Sequence, residues 1–88
     1  MQSEAPNAED FRTALRRKLN AAQRENQKFA NINSGALHRE VGGYPGTSHR
    51  MPICCQVMEA EMTIGDQIIK SPPKGRGASL TIRYRLPR

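Results

Sequence analysis

The segment IIKSPPKGRGASLTIRYRLPR, residues 68–88, decides the fold that we expect for this chain. Near its end, apolar residues alternate with polar ones, as in a strand with one face on a core: Leu80, Ile82, Tyr84 and Leu86. Ile68 and Ile69 supply a preceding strand. Between them, KSPPKGRGAS is too long for a two-residue turn and too rich in proline for a sheet. The segment therefore predicts a C-terminal β-hairpin with a protruding basic loop.

A first helix is predicted over about residues 8–26. Asn7 is a residue type that caps helices, and Asp10 stands three positions later. The apolar residues that follow recur at helical spacing: Phe11, Leu15 and Leu19. After this helix, the run KFANI at residues 28–32 has room only for a short strand. Residues 1–7 are expected to form a flexible lead-in.

Two more helices are expected before the hairpin. The second is short, with capping residues on both sides: Asn33 and Ser34 before it, Gly42 and Gly43 after it. Pro52 fits the first turn of the third helix, which we expect to run to about Met62 and to stop at Gly65. Its buried stripe is predicted to be Cys54, Val57, Met58 and Met62. More exposed positions are expected at Cys55, Gln56 and Glu59, and Ile64 is expected to pack.

Length and charge bound the function. A chain of 88 residues has room for one domain, and 36% hydrophobic residues allow only a small core without a large ligand cavity. The net charge is +6, and the bases gather in residues 11–40 and in residues 70–88, which hold six bases and no acid. This balance favours nucleic acid, an anionic membrane surface or an acidic protein as partner.

Other features limit location and chemistry. The chain has no long apolar run and its first ten residues are acidic, so we expect a cytoplasmic protein that does not enter a membrane. Cys54 and Cys55 are adjacent, which strains a mutual disulfide, and both are expected to be reduced. Zinc sites need thiolates two to four residues apart, so no metal or cofactor is expected. A nucleophile pair of Cys55 and His49 lacks any sign of an oxyanion hole.

The predicted order of helix, strand, helix, helix and basic hairpin resembles the winged-helix family of helix-turn-helix domains. The resemblance implies an α+β fold, a winged helix-turn-helix of three helices with a short strand and a C-terminal β-hairpin wing, over residues 8–88. In that family the helix after the turn enters the major groove of duplex DNA and the wing touches backbone or minor groove. Here the recognition helix would span about residues 52–62 and the wing would be PPKGRGAS, residues 72–79.

The segments LHREVGGYPGTSHRMPICC and PPKGRGASLTIRYRLPR also resemble a group of small uncharacterised bacterial proteins, some of which are labelled as HNH endonucleases. An HNH site needs a catalytic histidine and metal ligands on a compact scaffold. This chain has only His38 and His49, with no CxxC pairs. The resemblance is therefore compatible with an accessory subunit of a nuclease or restriction system. A nuclease of its own would lose metal-dependent cleavage on His49→Ala.

The DNA-binding residues that we predict fall into three groups. In the wing, glycines allow the backbone to come close to a phosphate, so that basic side chains can contact it: Lys70, Lys74 and Arg76. At the start of the third helix the partial positive charge of the helix end favours anions, and a glutamine further along can read adenine: Thr47, Ser48, His49, Arg50 and Gln56. The outward face of the last strand extends the positive surface: Arg83 and Arg85. The competing interpretations are a charged loop that guards the sheet edge against pairing, a capping or packing role for His49, and a solvated face for Arg83 and Arg85.

The sequence thus predicts a non-catalytic protein that binds double-stranded DNA and serves in transcription regulation, defence or mobile-element biology. Phosphate contacts from the wing and the first helix would supply most of the affinity. Glu59 and Glu61 on the third helix would repel phosphate unless they point away. A homodimer or a partner protein is expected to strengthen binding. The alternative is a protein-interaction adaptor of the same fold.

Overall fold

A computed structural model describes residues 6–42, 50–73 and 77–88 of the chain. In chain order, the elements are α1 (Ala8–Arg24), β1 (Phe29–Asn33), α2 (Ser34–Val41), α3 (Met51–Ala60), β2 (Gln67–Lys70) and β3 (Thr81–Arg85). Over these ranges the fold is α+β, with three helices and an antiparallel sheet of strand order β1-β3-β2. The predicted hairpin of the last two strands is confirmed, and its loop joins β2 to β3.

The first helix begins where the sequence predicts. The Asn7 side chain accepts the backbone N–H of Asp10, and the Asp10 carboxylate accepts the backbone N–H of Asn7, both at 2.9 Å. This reciprocal capping box satisfies two N–H groups that lack partners within the helix. Asn7 therefore belongs to the cap, while residues 1–5 of the predicted lead-in lie outside the described residues. α1 ends at Arg24, two residues before the predicted end.

Strand β3 lies at the centre of the sheet and carries much of the core. It pairs with β1 on one side and with β2 on the other. The predicted alternation is confirmed, because the apolar residues of this segment are buried: Leu80, Ile82, Tyr84 and Leu86. They pack with the apolar face of α1 and with the buried residues of α2 and α3. Hydrophobic burial on one face of the sheet thus fixes the register.

Strand β2 forms an edge of the sheet, and its pairing is irregular. Ile68 pairs with Ile82 and Lys70 with Thr81, so the ladder skips Ile69. Such a bulge leaves one residue without a cross-strand partner. Ile68 and Ile69 form a strand as predicted, but both remain more than 40% exposed.

The third helix departs from the prediction in three respects. It ends at Ala60 instead of Met62, and Gly65 lies in the following turn at a φ of 97°. Ile64, expected to pack, is 94% exposed, because the chain has left the helix before reaching it. Cys55, expected to be more exposed, is fully buried. Its sulfur lies 3.4 Å from the carbonyl oxygen of Gly77, so the hairpin loop covers that side of α3.

Among residues 6–42, 50–73 and 77–88, none of the helices combines the length and the apolar character needed to cross a membrane.

Candidate nucleic-acid interface

The start of α3 holds Arg50 by its backbone and leaves its side chain in solvent. The backbone N–H of Arg50 donates a 2.7 Å hydrogen bond to Nε2 of His38, which is buried on α2. The His38 ring packs edge-on against Phe11, with 4.8 Å between the ring centroids. The guanidinium of Arg50 is exposed and has no partner among the described residues. The predicted residue is therefore fixed in position with its charge available.

The two acids near the end of α3 differ from what their sequence positions suggest. Glu61 points to α1, where its carboxylate lies 3.2 Å from Nε of Arg16 and 3.6 Å from Nε of Arg12. The charge of Glu61 is thus offset by two guanidiniums and does not face outward alone. Glu59 is half-buried, while Gln56 is exposed on the same helix. The outer side of α3 is therefore less acidic than the sequence predicts.

Several basic side chains of α1 are held in ion pairs. Arg12 pairs with Glu9 as well as with Glu61, and Lys18 lies 2.6 Å from the carboxylate of Glu40. Exposed ion pairs of this kind stabilise a protein little, but they compete with phosphate for the same cations. The contribution that the sequence predicts for the first helix is therefore reduced. Arg17 is exposed and has no partner among the described residues.

The end of the basic loop is anchored to the helices. The carbonyl oxygen of Gly77 accepts the Ser34 hydroxyl at 2.6 Å and the Cys55 thiol at 3.4 Å. The backbone N–H of Gly35 donates to the carbonyl of Ala78 at 3.1 Å. A Cβ on Gly35 would lie 2.9 Å from that oxygen, so only glycine allows α2 to come this close. The C-terminal end of the loop is therefore held against the helices at Gly77, the residue directly after Arg76.

The structure describes only part of the predicted DNA-binding set. Lys70 is exposed at the end of β2 and has no partner among the described residues. Five predicted residues lie outside the described ranges: Thr47, Ser48, His49, Lys74 and Arg76. Arg50 and Gln56 share α3, and the anchored end of the loop lies against that helix at Cys55.

Arg83 and Arg85 lie on the outward face of β3, where the sequence places them. The guanidinium carbon of Arg83 is 5.4 Å from the centroid of the Phe29 ring, and its Nε donates to the side-chain oxygen of Asn31 at 3.4 Å. The Arg85 side chain packs over Gly65. Sequence reasoning missed Phe29 and Asn31, although the strand alternation around buried Ala30 and Ile32 places both on the outward face.

The last residue of the chain is structural. The Arg88 guanidinium lies 2.9 Å from the Asp66 carboxylate and 5.3 Å from the ring centroid of Tyr84. Burial would raise the pKa of Asp66, but hydrogen bonds from the backbone N–H groups of Arg85 and Thr63 and from Arg88 outweigh it and lower the pKa. This cluster ties the C-terminus to the turn before β2.

The cysteines lie in the core and show no sign of activation. Both cysteines are buried, and neither forms a disulfide. Burial, with a smaller effect of neighbouring Cys55, raises the pKa of Cys54 to about 12. A thiol with such a pKa is a poor nucleophile and a poor metal ligand at neutral pH. Across the described ranges, histidines, cysteines and carboxylates do not gather in groups of three that would hold a metal ion.

Comparison with protein-family models, with curated proteins and with solved structures gives no match for this chain.

Proposed function

We propose that the chain is a non-catalytic winged-helix protein that binds duplex DNA. The loop between β2 and β3 is the wing, and the first turns of α3 approach the major groove. The order of elements supports this assignment, since a strand separates the first two helices and the basic hairpin follows the third. The net charge of +6 supports an anionic partner.

One observation carries the proposal: the end of the basic loop is bonded to α3. Because Gly77 is held against Cys55, a wing that starts from this point and the exposed side of α3 can contact the same duplex. Arg50 supplies a free guanidinium at the start of the helix, and Gln56 supplies an amide six residues further along. Arginine and glutamine are residues that read guanine and adenine in the major groove.

The local charge supports the same conclusion. Glu61 is offset by arginines of α1, which removes one source of repulsion between α3 and phosphate. Two basic side chains near α3 and the loop have no partner among the described residues, Arg50 and Lys70. The sequence of the loop adds two more positive charges, Lys74 and Arg76. Phosphate contacts from these residues would supply sequence-independent affinity that falls as salt rises.

The experiment is fluorescence anisotropy with a short random duplex over a series of salt concentrations. The natural chain is compared with Lys74→Ala plus Arg76→Ala. We expect the double variant to bind more weakly and to lose about one to two units of slope in a plot of log affinity against log salt concentration. Arg50→Ala is expected to weaken binding with the loop intact.

The matched control is Arg24→Ala plus Lys28→Ala, which removes the same charge from exposed positions at the end of α1 and before β1. This control is expected to change the salt slope less than the loop variant does. Equal losses in the two variants would show that only total charge matters. Absence of duplex binding by the natural chain at low salt would refute the proposal.

A second function, protein docking, is favoured by exposed apolar residues around the edge strand. Ile64 is 94% exposed, and Ile68 and Ile69 are each more than 40% exposed. An edge strand with free backbone groups is a surface to which another chain can pair. If the chain is an adaptor, Ile68→Lys should abolish binding to its partner protein and leave any duplex binding in place.

A further inference from the structure

The face of the sheet that points away from the helices forms a polar and aromatic surface. Residues that pair across antiparallel strands share one face. The register sets Arg83 between Asn31 of β1 and Gln67 of β2, and it pairs Phe29 with Arg85. The alternate positions face the core and are buried: Ala30, Ile32, Ile82 and Tyr84. We name Phe29, Asn31, Gln67, Arg83 and Arg85 the outer sheet surface.

The centre of the outer sheet surface is an aromatic ring with a planar cation over it. Phe29 is 46% exposed, although burial of a phenyl group is favourable. The Arg83 guanidinium lies over its ring, and the hydrogen bond to Asn31 helps to hold the guanidinium there. Gln67 is exposed, and its side-chain amide makes no hydrogen bond to the described residues. The surface thus offers two flat groups for stacking and amides that can bond to polar edges.

The charge of this surface is positive. The three strands, FANIN, QIIK and TIRYR, contain no Asp or Glu. Asp66 precedes β2, and its side chain is inaccessible to solvent and paired with Arg88. Arg83 and Arg85 are therefore not opposed by an acid of the sheet, and Lys70 adds a further base at the end of β2. A polyanion is the partner whose charge complements this surface.

We propose that the outer sheet surface binds single-stranded nucleic acid. One base stacks on Phe29 and the Arg83 guanidinium, Arg85 contacts a neighbouring phosphate, and the amides of Asn31 and Gln67 bond to base edges. Stacking on an exposed aromatic ring needs an unpaired base, because a duplex hides the faces of its bases. The five residues of the outer sheet surface differ from those that the duplex proposal uses on α3 and the loop, and Lys70 borders both surfaces. Binding at the outer sheet surface does not depend on a duplex being bound on α3 and the loop.

The test is anisotropy with short oligothymidylate and oligouridylate, together with the fluorescence of oligonucleotides that contain 2-aminopurine. Phe29→Leu keeps an apolar side chain but removes the ring. It is expected to lower single-strand affinity about tenfold, since stacking on one aromatic residue contributes a factor of this order. The salt slope should stay unchanged, and the quenching of 2-aminopurine should be lost. Affinity for either oligonucleotide supports the site, whether or not it distinguishes the two, which differ in the 2′-hydroxyl and in the 5-methyl group of thymine.

Two controls separate this proposal from that for the duplex. Ile64→Ala changes another exposed apolar residue and should leave single-strand binding unchanged. Lys74→Ala plus Arg76→Ala should weaken duplex binding more than it weakens stacking, while Phe29→Leu should leave duplex affinity unchanged. Single-strand affinity within twofold of the natural chain in Phe29→Leu would overturn the proposal. Equal competition by polyglutamate would overturn it as well, since a general polyanion surface needs no stacked base.

Discussion

The hydroxyl of Tyr84 donates a 2.7 Å hydrogen bond to the carbonyl oxygen of Met58, which joins the central strand to the last turn of α3. The last carbonyls of a helix lack partners within it, so this bond satisfies a buried acceptor. It also fixes the end of α3 on the sheet. The position of the helix over β3 therefore depends on one phenol as well as on apolar packing.

Tyr84→Phe is expected to lower the free energy of unfolding by about 1–2 kcal/mol, because it leaves the Met58 carbonyl buried without its partner. Urea unfolding at neutral pH measures the loss. Thr13→Val, which removes an exposed hydroxyl on α1, is the control and should change stability by less than about 0.5 kcal/mol. A loss in Tyr84→Phe no larger than that in Thr13→Val would show that the bond does not stabilise the fold.

Tyr84 is also expected to make the free energy of unfolding fall at alkaline pH. Burial, with a smaller effect of the Asp66 carboxylate, raises the pKa of Tyr84 above its ordinary value of 10.0. The unfolded chain therefore ionises first, so the stabilisation is complete below pH 10.0 and is lost as pH rises through the folded pKa. The difference in stability between the natural chain and Tyr84→Phe is expected to shrink above that pH. A constant difference would contradict this linkage.

Asp66→Asn tests the cluster at the C-terminus. The pKa of Asp66 is lowered in the folded chain, so its carboxylate stabilises the fold above its ordinary pKa of 3.8, and this effect is lost as pH falls through the folded pKa. We expect the free energy of unfolding of the variant to be about 2 kcal/mol lower than that of the natural chain at neutral pH. In acid this difference should shrink. Thermal unfolding over a pH series measures this. Glu25→Gln, at an exposed position, should alter the unfolding temperature little.

Ser34→Ala tests the anchor of the loop. Loss of the bond to the Gly77 carbonyl is expected to speed tryptic cleavage after Lys74 and Arg76 several-fold, because the loop opens more often when its end is released. Mass spectrometry of timed digests locates and counts the cuts. Ser71→Ala, on the exposed side of the same loop, should leave the rate unchanged. Equal rates in all three chains would show that Ser34 does not hold the loop.

The cysteines are expected to react slowly with a thiol reagent in the folded protein. With a pKa of about 12, Cys54 has roughly one thiolate in ten thousand molecules at about pH 8, and burial blocks access. Labelling with a chromogenic disulfide should be orders of magnitude faster in denaturant. Gln56→Cys places a thiol on the exposed side of α3 and should react at once. Fast labelling of the natural chain would contradict this expectation and would show that Cys54 or Cys55 is accessible to redox chemistry.

Much of the fold follows from local patterns in the sequence. The capping box at Asn7 and the strand alternation from Leu80 to Leu86 are interactions between near neighbours, and both occur where the sequence places them. Periodicity misleads where an element ends. Ile64 keeps its apolar character, but α3 has already stopped at Ala60, so the residue faces solvent.

In the candidate site, too, some features follow from local sequence and others depend on tertiary contacts. The sequence by itself determined the charge, the basic hairpin and the outward direction of Arg83, because these depend on composition and on a period of two. Only the tertiary structure decided that Cys55 is buried under Gly77, that Glu61 faces α1, and that Arg83 lies over Phe29. The physical reason is that each of these contacts joins residues more than 20 positions apart, and a local pattern carries no information about such partners.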